Sequence, residues 1–362
     1  MRIEQLTFTR YVAALTVVFF HYGMTVFPAN LPWVNPVLAA GPIAVSYFYV
    51  LSGFIMAIAY YQPEQPQKAF ATRRYWWARI ARIYPVYLLA LLLMIAAKYQ
   101  TAGSEPLTVA LSVSMLQAWV PGYPLTLNAP GWSLSVEAFF YLCFPLLLLL
   151  VKRYHLVNLT LAAGILWLVT QLGHGFLLNT TAYVPRGLLH DFIFYNPLMH
   201  LNTFVIGFIA GAWLQKGSLD RFSAPRINIS GLLLVSALII VLLITRQTLI
   251  DASGIAFDYT NGLIAPLFLL FIVLLALNTG KISQLLQHKW LVLLGEASFS
   301  LYILQKPLHG IYEKLMPAGI DPNGALHFYL FVVLLTFSAL CSYWFFEAPA
   351  RRWINNFVNR TP

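Results

Sequence analysis

Charged side chains are scarce in this chain. Only 9% of its 362 residues are Asp, Glu, Lys or Arg, against about 25% in a soluble globular protein. That shortage excludes an ordinary water-facing fold. Acidic residues are the scarcer sign, 12 against 22 basic ones, leaving a net charge of +10. Cysteine is nearly absent: Cys143 and Cys341 are the only two. Both lie inside apolar runs, so they cannot frame an exported disulfide domain. Strict polar–apolar alternation is missing, which excludes a transmembrane β-barrel. No repeat of about 20–50 residues is visible, which excludes a solenoid or array. The first apolar run lacks a small-residue cleavage site and is followed by many like it. It reads as a retained span, not a signal peptide.

What is there is apolar. Hydrophobic residues make up 60% of the chain, and its mean hydropathy is +0.72. Apolar runs fall near 7–27, 42–61, 82–98, 131–151, 156–178, 192–214, 229–245, 259–278, 291–312 and 326–346. A bilayer core is crossed by about 20 such residues. The fold class expected is therefore all-α: a polytopic membrane protein of about ten transmembrane helices. A weaker run, 107–120, ends in Pro-Gly-Tyr-Pro and reads as re-entrant or interfacial. With the neighbouring glycines and prolines (Gly103, Pro106, Pro121, Gly122, Pro124, Pro130), the stretch from Tyr99 to Pro130 is expected to cap the outer face.

Basic residues give the orientation. Lys68, Arg73, Arg74, Arg79 and Arg82 follow the second span, and Lys152 and Arg153 the fourth. Lys216, Arg221 and Arg226 follow the sixth, Lys281 and Lys289 the eighth, and Arg351, Arg352 and Arg360 the tenth. Odd exits carry about one apiece: Lys98, Arg186, Arg246 and Lys314. The positive-inside rule then puts every even exit and both termini in the cytoplasm. Counting 107–120 as a crossing would place the later basic clusters outside. On this reading the positive charge is a topology signal, and no nucleic-acid partner is expected. Residues 1–352 form one membrane domain, followed by a short cytoplasmic tail, 353–362.

Ionisable groups inside a membrane cost about 2.5–3.5 kcal/mol each on insertion scales, so they mark function. The opening run, TFTRYVAALTVVFFHYG, holds Arg10 and His21 eleven residues apart. On a helix they share a face, about 16 Å apart along the axis. His21 and Glu137 both fall about 9 Å below the outer ends of their spans. They are expected to pair, the carboxylate fixing the imidazole tautomer and raising its basicity, as a general base requires. The plainer alternative is a buried pair tying two helices together. Ser133, Ser135 and Glu137 stand in GWSLSVEAFFY, with Ser133 and Glu137 on one face. Neither serine sits in the strand–turn–helix elbow of a serine nucleophile; small polar packing between helices is the plainer role. Arg79 and Arg82 share a face at the inner start of the third span, and guanidinium forks bind phosphates bidentately. For Arg73 and Arg74, lipid-headgroup anchoring is the plainer role. Together these residues suit a long phosphorylated donor held from inside, with its reactive end near a base.

Six segments, in order, resemble the acyltransferase family 3 of integral membrane O-acyltransferases, in the branch that acylates exported sugars. Arg10 with His21 is similar to its R-x10-H motif. YFYVLSGF (47–54) resembles its F-x-x-SGF motif, and Arg79–Arg82 its R-x-x-R motif. GWSLSVEAFFYLCFP (131–145) resembles the W-S-L-S-x-E-x-x-F-Y segment. GEASFSLYILQKPL (295–308) resembles the late G-x-x-S-Y-S-L-Y-L-x-H-x-P segment, and FEAPARR (346–352) the E-x-P-x-R ending. The resemblance covers about residues 3 to 352. It implies transfer of an acyl group, usually acetyl, from acyl-CoA to a hydroxyl of a carbohydrate, a lipid-linked sugar or a small natural product, in a bacterial inner membrane among its lipids. His21 and Glu137 would be catalytic. Arg10, Arg79 and Arg82 would bind the donor, acetyl-CoA. Ser52, Trp132, Ser133, Ser135, Tyr302 and Gln305 would line the substrate site, with no metal. Gln305 is a departure, standing where the family often has His; it can hydrogen-bond but cannot shuttle a proton. The chain also lacks the periplasmic hydrolase-like domain fused in some relatives, so the acceptor is expected to meet the membrane domain alone. The rival reading is a transporter or exporter. Inverted repeats or discontinuous helices would favour it, and neither is visible in the sequence.

Overall fold

The computed structural model describes residues 3–65, 70–99, 105–317 and 320–360. Lys68 and Gly103, named above, lie outside the described residues, as do Thr361 and Pro362 of the expected tail. Every regular element among the described residues is helical. The first four helices are α1 (Thr7–Tyr22), α2 (Asn35–Ala39), α3 (Ile43–Tyr60) and α4 (Thr72–Tyr99). Then come α5 (Pro106–Val113), α6 (Trp132–Arg153), α7 (Leu156–Leu178), α8 (Leu188–Tyr195) and α9 (Pro197–Gln215). The rest are α10 (Pro225–Ser253), α11 (Ala265–Leu277), α12 (Lys281–Leu286), α13 (Lys289–Leu315), α14 (Ala325–Ser342) and α15 (Ala348–Arg360).

Among the described residues, 7 helical stretches are long and apolar enough to cross a bilayer. The three remaining runs fall on α1, with 16 residues, α11, with 13, and the charge-bearing α13, with 27. The chain is an all-α integral membrane protein. Three boundaries differ from expectation. The run 192–214 is broken at Asn196, whose side chain caps α9 by accepting from the Leu198 N–H at 3.1 Å; Pro197 takes the first helical position, where its missing N–H costs nothing. The first helix stops at Tyr22, capped by Gly23, not at residue 27. Beyond α14 a π-turn, Tyr343–Glu347, leads into α15, so residues 353–360 are helical. Pro349 lies just past that turn and cannot donate back into it.

Side-chain pairs fix the relative directions of the helices. Thr7 meets Gly295 and His21 meets Gln305, so α1 and α13 run parallel. Val50 meets Gly207 and Phe54 meets Gly211, so α3 and α9 are parallel too. Tyr75 meets Tyr141 while Tyr87 meets Gly131, which makes α4 and α6 antiparallel. Ser300 meets Ser342 and Tyr312 meets His327, so α13 and α14 are antiparallel. These directions alternate as ten crossings require. A crossing at 107–120 would have made α4 and α6 parallel. Instead α5 is a single short helix, and the chain after it folds into the bundle: Gln117 donates to the Gly131 carbonyl at 2.9 Å, and Asn128 to the Ile303 carbonyl at 3.0 Å.

Two contacts at backbone distance set the frame of the site. Gly207 and Gly211 form a G-x-x-x-G stripe on α9, facing Gly53 on α3. A Cβ on Gly207 would stand 2.1 Å from the Val50 carbonyl oxygen, and one on Gly53 2.1 Å from that of Phe204. Small residues let membrane helices approach this closely, and dispersion then replaces the missing hydrophobic drive. Gly295 on α13 does the same against α1, where a Cβ would lie 2.1 Å from the Thr7 carbonyl oxygen. Inner and outer below denote the Arg10 and His21 ends of α1.

Candidate active site

A cavity of about 160 Å³ opens among α1, α3, α4, α6 and α13. Arg10, Ser52, Arg79, Arg82, Ser133, Glu137 and Tyr302 all line it, joined by Tyr49 and Tyr141. The three arginines picked out by spacing thus meet at one place, though in different states. Arg82 Nη1 lies 3.1 Å from Oε1 of Glu347, which is 1% exposed. The other oxygen of Glu347 accepts from Ser300 Oγ at 3.0 Å. Among the described residues, no carboxylate bonds to Arg79. Its guanidinium sits over Tyr60, Tyr75 and Tyr141, 5.7, 5.9 and 5.5 Å from the ring centroids. It donates to Met56 Sδ at 3.2 Å and to Tyr60 OH at 3.4 Å, while its buried Nε has no partner. A cation held by ring faces rather than by a carboxylate keeps its charge available to an incoming anion.

Glu137 faces this cavity and not His21. Its Oε1 accepts from Tyr141 OH at 2.5 Å and from Ser52 Oγ at 3.5 Å. The partner of His21 is Gln305, with Nδ1 and Oε1 3.1 Å apart. The expected His21–Glu137 pair is therefore absent, and two boundaries explain why. His21 is exposed at the outer end of α1, because that helix stops at Tyr22. Helix α6 begins below the outer face, level with Tyr302 and Ile303, where the 115–131 segment is tucked in. Five residues further on, Glu137 lies about 7.5 Å deeper still.

The remaining site residues divide. Ser133 takes a bond from Tyr302 OH at 3.0 Å and donates to the Pro130 carbonyl at 2.8 Å, in the cavity wall. Ser135 points elsewhere, donating to the Met115 carbonyl at 2.5 Å. Trp132 packs edge-on to Tyr195 and beside His200. Neither Ser135 nor Trp132 is brought to the cavity; both tie α6 to its neighbours. Residues not singled out from the sequence are Glu347 and the tyrosines around Arg79. The E-x-P-x-R ending contained the signal for Glu347: a lone acid at the close of the last apolar run. Tyr141 closes the W-S-L-S-x-E-x-x-F-Y segment, whereas nothing local marked Tyr60 and Tyr75, since aromatic residues are common throughout the chain. Among the described residues no group of three or more His, Cys, Asp or Glu is arranged to hold a metal.

Fold and site together define a polytopic membrane protein with an arginine-lined cavity inside the bundle and a histidine exposed beyond it on the same helix. Residues 3–347 match the acyltransferase domain of acyltransferase family 3, and the chain belongs to that family. It is 28% identical over 323 residues to acyltransferase MdmB of Streptomyces mycarofaciens, covering 84% of this chain and 78% of that protein. It is 22% identical over 378 residues to the O-acetyltransferase OatA of Staphylococcus aureus strain NCTC 8325, covering 97% of this chain. A putative O-acetyltransferase of Staphylococcus aureus strain COL, SACOL0978, is 22% identical over 349 residues, 91% of this chain. The match spans only 59% of OatA and 55% of SACOL0978. No solved structure matches the chain.

Proposed function

We propose that this acyltransferase moves an acyl group, acetyl in the simplest case, from acyl-CoA to a hydroxyl of a carbohydrate or lipid-linked sugar at a bacterial inner membrane. One observation carries the reading. Arg10 lines the arginine cavity, and His21 stands exposed at the outer end of the same helix. The donor's phosphates suit the guanidiniums of Arg10, Arg79 and Arg82. Its long thin pantetheine arm suits the distance from there to His21, about 16 Å for eleven residues of helix. His21 removes the acceptor's proton as the hydroxyl attacks the thioester. Glu137 works within the cavity, where it orients Ser52 and Tyr141 and offsets the charge of the arginines.

The test uses purified full-length protein in nanodiscs, with acetyl-CoA as donor and membranes of the native host as the source of acceptor. Thiol release and transfer of labelled acetyl are both followed. His21→Ala should cut transfer about 10²–10⁴-fold, the usual worth of a general base, while acetyl-CoA binding stays near normal. Near-wild-type transfer per mole of folded His21→Ala protein would remove His21 from the chemistry. Failure of the wild-type protein to release thiol would remove acyl-CoA as the donor. Mass spectrometry of surface glycans, with and without the gene, identifies the acceptor.

A further inference from the structure

Gln305 is 0% exposed, one helical turn outward of the cavity residue Tyr302. Both ends of its amide are engaged, and their chemistry leaves one arrangement. A peptide carbonyl can only accept, so the group 2.7 Å from the Tyr302 carbonyl is the amide NH2. The amide oxygen therefore faces His21 Nδ1, 3.1 Å away, and that oxygen also can only accept. Nδ1 must then carry the hydrogen, which leaves the lone pair of the neutral ring on Nε2.

We infer that Gln305 is the positioning residue of the transfer reaction: it locks His21 in the Nδ1–H tautomer and so makes Nε2 the nitrogen that takes the acceptor's proton. The inference rests on the acyl-transfer reading. It assigns to Gln305 the orienting role that sequence spacing had given to Glu137. Glutamine can orient the ring but cannot take a proton from it, so no relay runs through Nδ1. One nitrogen must do both halves of the proton chemistry. The acceptor O–H proton passes to Nε2 as the O–C bond forms. The C–S bond breaks, and the departing thiolate takes that same proton from Nε2–H. Donor and acceptor are then bound together, on one edge of the ring, with no bond to the enzyme. A neutral amide also gives the imidazolium only a dipole, where a carboxylate would give a counter-charge.

The experiment uses the full chain in nanodiscs, with isotopically labelled histidine read by nuclear magnetic resonance. The His21 signal is identified by its loss in His21→Asn. Wild type should show neutral His21 with hydrogen on Nδ1 and the lone pair on Nε2. Gln305→Leu should give a mixture of tautomers, and should lower turnover at saturating acetyl-CoA about 10²-fold, as expected for a misplaced reacting group, with the KM for acetyl-CoA unchanged. Gln305→Glu should raise the proton affinity of His21 by tenfold or more, moving the acid limb of the pH–rate profile upward by the same factor. The other titratable neighbours, Tyr22 on α1 with His309 stacked on it, and Lys306 on α13, are present in every variant. A wild-type His21 with hydrogen on Nε2, or an unchanged tautomer in Gln305→Leu, overturns the inference. Should Gln305→Leu not fold, an unmoved titration in Gln305→Glu overturns it equally. Wild-type turnover in Gln305→Leu defeats the positioning role alone. A locked tautomer with no acetyl transfer in any variant defeats the acyl-transfer reading and leaves the geometry standing.

Discussion

Arg79 and Arg82 lie one turn apart on α4, yet the fold holds them by different means. Arg82 is tied to a fully buried carboxylate, whereas Arg79 rests among three tyrosine rings. Removing one partner of a buried ion pair strands the other charge, at a cost of about 3–5 kcal/mol. Glu347→Gln should therefore destabilise the protein on that scale, and a thermal-shift assay should show a clear fall in midpoint. Adding Arg82→Met to it should recover part of the loss, because the charge stranded by the first change is then removed. A Glu347→Gln protein as stable as wild type would show that the pair does not hold α4 to the π-turn. At this scale the sequence was most informative about charges confined to apolar runs. Arg10, Arg79 and Arg82 were legible because each sits at the inner end of an apolar run, and Arg79 and Arg82, three apart, share a helix face. The partner of His21 was not legible, because Gln305 lies 284 positions away and side-chain pairing between helices leaves no trace in local periodicity. Glu137 misled because its depth was counted from the start of an apolar run, whereas the run begins inside the bundle.

Among the elements, α3 and α9 meet at backbone distance through three glycines, Gly53, Gly207 and Gly211. A side chain on Gly207 would meet the Val50 carbonyl oxygen at 2.1 Å, and backbone cannot yield as a flexible side chain can. The contact lies beside Tyr49 and Ser52, which line the cavity, so forcing the helices apart also displaces part of the cavity wall. Gly207→Val should sharply reduce the yield of folded protein, while Gly164→Ala on α7, with nothing within 4 Å of the added carbon, should leave yield and thermal midpoint unchanged. Size-exclusion profiles in detergent check both. Equal yields for the two would mean that the α3–α9 contact is dispensable. The apolar helices were legible in the sequence because a crossing needs an apolar stretch and little else. Their interruptions were not. Hydropathy averages across the break at Asn196. The 107–120 run was legible as re-entrant or interfacial, but not the bonds that hold 115–131 in the bundle, from Gln117 to the Gly131 carbonyl and from Asn128 to the Ile303 carbonyl.

Over the whole molecule, the directions of packed helices fix which ends lie on the same side, and the basic clusters then choose the cytoplasm for one of them. Cysteine at Thr72, an exposed position at the inner start of α4, should be shielded from impermeant thiol reagents in intact cells. Cysteine in place of Trp33, 66% exposed on the segment after α1, should react. Labelling in the reverse sense would turn the protein over in the membrane and put the arginine cavity on the wrong side for a cytoplasmic donor.

The two fixed points between α1 and α13 have a consequence at this scale. Gly295 pins the inner end of α1 by backbone contact, and Gln305 pins the outer end by a hydrogen bond. A strut fastened at both ends holds its length. Under the proposed function, any donor joining the arginines to His21 must span a gap of about 16 Å that the protein does not adjust. The helix pair is thus a gauge: it selects by the length of the carrier arm before it selects by the identity of the group at the tip.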